Sequence, residues 1–350
     1  MNTLIHRIRH SIIGDRKSIR TPFGDRPLVY ADYVASGRSL SFIEDFVRQQ
    51  VLPYYGNTHT EASYTGAQIT ALREEARSEI KRSLNCRSDD QLIFCGAGAT
   101  AAINKLIDML NLRLSPELAE RYLCDASIRE SERPIVFIGP YEHHSNELPW
   151  RESLAEVVTI PLTEYGQIDL SELEQKLQQY AVRSLLIGSF SAASNVTGIK
   201  SNVAAITALL KQYGALVFWD YAAAAPYMGI DMNGENPLDA VFISPHKFIG
   251  GPGTPGILVV KKALLKNSVP AIVGGGTVTY VTPEDHLYTN NPESREEGGT
   301  PAIVESIRAG LVFKLQREVG IDEIERLEGN LINRAISRFS DCSNLEILGN

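Results

Sequence analysis

The stretch "VFISPHKFIGGPGTPGILVV" (residues 241–260) sets Lys247 between an apolar run and a glycine-rich turn. A lysine amine held against apolar walls gives up its proton more readily and becomes a nucleophile, which is what Schiff-base chemistry needs. Gly250, Gly251 and Gly253 allow the backbone to approach a bound group closely. The plainer reading of the same residue is a solvated surface lysine. Other polar residues stand in comparable places. Asp220 closes "ALVFWD", where it suits either a helix N-cap for the alanines that follow or a counter-ion for a cofactor's ring nitrogen. "GAGATAAIN" (96–104) offers the small residues Gly98, Ala99 and Thr100 at a helix start, where backbone N–H groups make a phosphate seat. In "YEHHSNELPW" (141–150), His143 and His144 are adjacent, a poor spacing for a metal pair on a helix; stacking on an aromatic ligand suits one of them better. Asn195 in "SAASNVTG" either donates to a phenolate oxygen or shapes a turn.

These residues need elements to carry them. Strand-like runs occur at 91–95, 134–139, 156–160, 184–190, 215–220, 240–244 and 256–261. Several are apolar on both faces, the mark of a sheet covered by helices on each side. Helical periodicity appears at 67–84, 100–110, 170–179 and 203–213. The alternation predicts an α/β fold with a mostly parallel sheet, in which ligands sit beyond the carboxyl ends of strands. "GILVV" follows its glycine turn too closely for a helical crossover and is expected to run antiparallel to a neighbour. From Pro301 the pattern is helical, and "NLEILGN" (344–350) reads as a final strand.

Composition narrows the class. The chain has 350 residues, 43% hydrophobic, with a net charge of -8. That charge argues against nonspecific binding to nucleic acid or an anionic membrane surface. There is no run of eighteen apolar residues and no secretory signal, and the basic, weakly amphipathic start reads as a surface helix rather than a transit peptide. The four cysteines, Cys86, Cys95, Cys124 and Cys342, show neither paired nor metal-ligand spacing, which fits a reducing cytoplasm.

Taken in chain order, "YADYVASGR", "HHSNELPW", "SNVTG", "SPHK" and "EGGTP" resemble the pyridoxal-phosphate enzymes of class V aminotransferase type, most closely the cysteine desulfurase/selenocysteine lyase branch. The resemblance runs from about Tyr30 to the end. It implies a fold-type I, aspartate-aminotransferase-like architecture with a mostly parallel seven-stranded sheet, helices on both faces and part of a small α+β domain. The chain would divide into an N-terminal segment (1–29), a large cofactor domain (30–300), and connecting helices with the start of the small domain (301–350). Lys247 would form the Schiff base and move the α-proton, Asp220 would keep the ring nitrogen protonated, and His143 would stack on the ring. Asn195 would bond the phenolic oxygen. Gly98, Ala99, Thr100, Ser244 and His246 would seat the phosphate. Thr300 would serve the neighbouring subunit of a homodimer, and Asn57 and His59 would face the substrate, a small amino acid. The implied reaction removes sulfur or selenium from a cysteine-like substrate. A transaminase, epimerase or β-lyase, or a non-catalytic or truncated relative, are the alternatives. Two departures stand out. Ala223 occupies the place of the family's usual Gln, and the family's carboxylate-binding arginine and persulfide cysteine are expected beyond the residues given.

Overall fold

Runs such as "QLIFC" and "AVFI" bury every residue, so the sheet they form requires cover on both faces. The computed structural model describes residues 3–58, 62–122 and 128–347. Helix α1 (Thr3–His10) precedes a hairpin of β1 (Ser18–Thr21) and β2 (Gly24–Pro27), then α2 (Ser41–Phe46) and α3 (Tyr64–Ser83). β3 (Asp90–Cys95) leads into α4 (Gly98–Met109) and α5 (Pro116–Tyr122). Alternation then sets in: β4 (Ile135–Ile138), α6 (His144–Arg151), β5 (Glu156–Thr159), α7 (Leu170–Gln179), β6 (Leu186–Ser191), α8 (Val203–Gln212), β7 (Leu216–Asp220) and β8 (Ala240–Ile243). β9 (Gly256–Lys261), a hairpin of β10 (Val278–Val281) and β11 (His286–Tyr288), α9 (Pro292–Glu296), α10 (Ile303–Val319) and α11 (Ile321–Ser340) follow.

Seven strands form the central sheet in the order β3-β9-β8-β7-β6-β4-β5. β8, β7, β6, β4 and β5 pair in parallel. β9 runs antiparallel to both neighbours, as the short turn before it predicts. Two antiparallel pairings restore direction, so β3 points the same way as β8. The carboxyl ends of β3, β4, β6, β7 and β8 therefore open on one edge of the sheet.

The strand period of two sorts side chains between two cores. Phe94, Phe137, Phe190, Trp219 and Ile243 face one side, against Leu173 and Leu177 of α7, Leu210 of α8 and Phe313 of α10. Ile93, Ile138, Phe218 and Phe242 face the other, against Ile103 and Leu106 of α4 and Trp150 of α6. Side-chain caps set the helix starts: Ser63 accepts from Gly66 N, Asp169 from Ser171 N and Glu172 N, and Asn202 from Ala205 N.

Two expectations need correction. Residues 344–347 follow α11 as turn and irregular chain, not as a strand, and 348–350 lie outside the described residues. Leu345 is exposed, and no strand lies alongside to exchange backbone hydrogen bonds among the described residues. The alanines after Asp220 form consecutive turns rather than a helix. No helix among the described residues is long and apolar enough to cross a membrane.

Candidate active site

The shared edge of the sheet opens into a cleft of about 520 Å³, within the usual size of a small-molecule site. Gly98, Ala99, Thr100, His143, Asn195, Asp220, Ser244, His246 and Lys247 all line it. They come from five separate strand ends, which is why no single stretch of sequence displays the site.

After β3, the chain turns through Gly98 at φ +57° and starts α4. A Cβ at Gly98 would lie 2.9 Å from Ser244 Oγ and 3.0 Å from His246 Cε1, so only glycine lets this turn sit against the β8 loop. Ala99 N donates to Ser244 Oγ at 2.9 Å, and the Thr100 and Ser145 hydroxyls lie 2.7 Å apart. These hydroxyls and the first amides of α4 form a concentrated donor set at a helix N-terminus.

After β4, His143 caps α6, its Nδ1 accepting from Ser145 N at 3.1 Å. The ring is exposed to the cleft. After β6, Ser194 Oγ accepts from Val196 N and Thr197 N and so shapes the turn, leaving the Asn195 side chain on the cleft wall.

Asp220 is 4% exposed, and its Oδ1 accepts from Ala222 N at 2.8 Å. The capping reading of this residue thus holds for a turn. Burial pushes its carboxyl above the usual range; the Ala222 amide, Lys247 and His143 offset only part of that. Lys247 closes the short turn Pro245–Lys247. Its side chain also borders an apolar cavity lined by Phe248, Ile249, Val312 and Leu315. Burial lowers its ammonium pKa, and the attraction of Asp220 recovers only part of the loss. Both groups are thus moved toward their neutral forms. His246 is lowered as well, by burial first and then by Lys247.

The other expected residues lie elsewhere. Thr300 and Asn57 are exposed and do not line the cleft. His59 lies outside the described residues. Three features escaped the sequence reading. Asp32, Val34 and Ala35 form one cleft wall. Their strap is pinned by Gly37 N donating to His246 O at 2.9 Å, and a Cβ on Gly37 would lie 1.9 Å from Phe248 O. The glycine in "VASGR" was the available signal. Ser191 also lines the cleft, and behind it lies Glu142, whose carboxyl burial pushes up to about 7. Its position directly before His143 was the only hint.

The family model for aminotransferase class-V matches residues 29–350. The chain belongs to the class-V aminotransferase family. A probable cysteine desulfurase from Halalkalibacterium halodurans is 30% identical over 331 residues, covering 92% of this chain and 75% of that relative. Another probable cysteine desulfurase, from Streptomyces coelicolor, is 28% identical, covering 92% of this chain and 73% of that relative. Among solved structures, the apo cysteine desulfurase from Thermococcus onnurineus NA1 superposes with a TM-score of 0.77 at 21% identity, over 96% of this chain and 76% of that one. The Escherichia coli cysteine desulfurase CsdA gives 0.71 at 23% identity, over 89% of this chain and 74% of that one. These likenesses show the fold of this class-V family member: the mostly parallel seven-stranded sheet covered by helices.

Proposed function

We propose that this class-V family member is a pyridoxal-phosphate-dependent enzyme. In this reading it acts on a small amino acid through Lys247 and removes sulfur or selenium from a cysteine-like substrate. The observation carrying this reading is the convergence, in one cleft, of a phosphate-type donor set, a buried carboxylate and a lysine of lowered pKa. That set fits the cofactor's groups. The first amides of α4 with Thr100, Ser244 and His246 would hold the phosphate. His143 would cover the ring, and Asn195 would donate to its phenolic oxygen. Asp220 would keep a proton on the ring nitrogen, because a buried anion strongly favours a charged hydrogen-bond donor beside it. Lys247 Nζ would carry the cofactor and then take the substrate's α-proton, a task suited to an amine whose pKa burial has lowered. Pyridoxal phosphate, when bound, supplies an electron sink for bond cleavage at Cα. Thr300 would serve a neighbouring subunit, which makes the working unit a homodimer. His59 would meet the substrate, which Asn57, lying off the cleft, does not reach in this arrangement, and the compartment would be the cytoplasm. Residues 30–300 would form the cofactor domain, and 301–350 the connection to a small one.

A second reading is favoured by the described cysteines. Cys95 is buried within β3, and burial pushes its thiol and that of Cys86 up to about 12. Cys342 is exposed past α11. None of these three lines the cleft. Chemistry without a protein thiolate, such as transamination, epimerisation or β-elimination, suits the cleft's described walls.

The experiment is to incubate the protein with pyridoxal phosphate, cysteine and a reductant and to identify products. Alanine with sulfide supports desulfuration. Pyruvate or a keto acid supports the second reading. Absence of cofactor binding would overturn both.

A further inference from the structure

Glu142 precedes His143 in the loop after β4, and its carboxylate lies behind the cleft wall. Oε1 accepts from Ser191 N at 3.0 Å and Gly139 N at 3.3 Å. Oε2 accepts from Asn146 Nδ2 and from Ser191 Oγ, both at 2.7 Å. All of these donors are neutral. Asn146 is fully buried and ties the cluster deeper. Its Nδ2 also donates to Ser189 O at 3.2 Å, and its Oδ1 accepts from Ser189 Oγ at 2.7 Å and Trp150 Nε1 at 3.3 Å. One carboxylate therefore joins the loop that carries His143, the end of β6 that carries Ser191, and α6.

We propose that Glu142 is a positioning residue: by accepting from Gly139, Asn146 and Ser191 together, its carboxylate fixes how His143 and Ser191 face the cleft, and its protonation loosens that setting. The value of these contacts to ligand binding rests on the cofactor reading above; the contacts themselves do not.

The proton has a defined route. With Glu142 ionised, the Ser191 hydroxyl hydrogen is spent on Oε2 and Ser191 shows the cleft only acceptor capacity. With Glu142 protonated, its O–H has Ser191 Oγ as a partner able to accept, and the Ser191 hydrogen turns away from Glu142. Burial raises the Glu142 pKa to about 7, its bonds from Asn146 and Ser191 oppose that, and the negative charge of Asp220 on β7 adds to the rise. Tyr141 and His143, adjacent in the chain, are titratable as well; Ser189 and Ser191 of β6 and Asn146 of α6 carry no charge. The exchange between the two states therefore falls near neutrality.

The test compares wild type with Glu142→Gln and Glu142→Asp across neutral pH. In protein without cofactor, NMR follows the Ser191 amide and the His143 ring. With pyridoxal phosphate, visible absorbance gives the affinity. In wild type, the Ser191 amide should show a step near pH 7, and the His143 ring a matching step. Cofactor affinity should be higher above that step. Glu142→Gln should remove the step from both signals, flatten the pH dependence and weaken cofactor binding roughly tenfold, the scale of one hydrogen bond to a charged group. Glu142→Asp should restore part of the step. If Glu142→Gln fails to fold, Ser191→Ala serves: the bond it removes from the ionised form is charge-assisted and stronger than the neutral one it removes from the protonated form, so the step should move to higher pH. An unmoved step there, or wild-type signals and affinity in Glu142→Gln, overturns the proposal. If wild type binds no pyridoxal phosphate, the cofactor reading fails, while the cofactor-free signals still decide the role of Glu142.

Discussion

Two of the places where the chain buries charge are treated in opposite ways. Beneath β3, on the side of α3 and α9, the charges are closely paired. Glu297 meets Arg73 at 2.6 Å and Arg77 at 3.0 Å, and accepts from Phe94 N at 2.7 Å. Lys81 reaches Glu293 at 2.6 Å. Arg77 also donates to Leu92 O. Burial alone would raise the Glu297 carboxyl, but Arg77 and Arg73 outweigh it and hold the pKa below its ordinary value. At the cleft, Lys247, Asp220 and Glu142 are all pushed toward their neutral forms, burial outweighing the partners they have. Paired groups keep their charge and hold a loop in place. Underpaired groups retain reactivity, and a bound ligand is what would complete them.

The largest effect is expected from a first perturbation, unpairing the closed cluster. Arg77→Ala leaves Glu297 buried with less compensation and should cost about 3–5 kcal/mol of stability, read as a fall in the urea midpoint. A change below about 1 kcal/mol would mean the cluster behaves like a surface pair.

The second acts on the cleft. Asp220→Ala should leave stability nearly unchanged, because the buried carboxyl is already under strain from desolvation. It should slow α-proton exchange of a bound amino acid roughly 100-fold or more, the scale of losing one preorganised electrostatic partner. Asp220→Glu should lose much less. Near-wild-type exchange in the Ala variant would remove the ring-nitrogen role.

The third uses pH. The native Glu142 pKa is raised from 4.5 to about 7, so the folded state holds a proton that the unfolded chain releases. Its contribution is therefore fully present below about pH 4.5 and is lost as pH rises to about 7, by ~3 kcal/mol at most. Wild type should lose stability relative to Glu142→Gln over that window, and denaturant titrations at both ends check the sign. The same ionisation that costs stability supplies the acceptor for the loop that carries His143.

The smallest effect belongs to the exposed pair Lys200–Glu325, at 3.2 Å. Glu325→Ala should change stability by less than about 1 kcal/mol, which sets the floor against which the buried groups are judged.

Much of this was legible in the sequence, for identifiable reasons. β3, β4 and β8 are buried along their whole length, so their apolar runs stand out. The hairpins β1–β2 and β10–β11 are mostly exposed, so neither has a buried apolar face to reveal it. In "NLEILGN" the apolar residues suggested a strand, but apolar spacing cannot provide a pairing partner. Lys247, Asp220 and Asn195 were readable because each follows an apolar run. Glu142 was not, because the Ser191 that receives it lies 49 residues away. Thr300 and Asn57 carried motif information that the cleft of a single chain does not use.

On the proposed function, pyridoxal phosphate is carried by Lys247 in the cleft. The direct measurement is borohydride reduction of the cofactor-loaded protein, proteolysis and mass mapping of the pyridoxyl group. The predicted result is a single modified peptide containing "SPHKFIGGPG", labelled at Lys247 and absent from Lys247→Ala. A label on Lys200, Lys261 or Lys262, or undiminished labelling in Lys247→Ala, would contradict it.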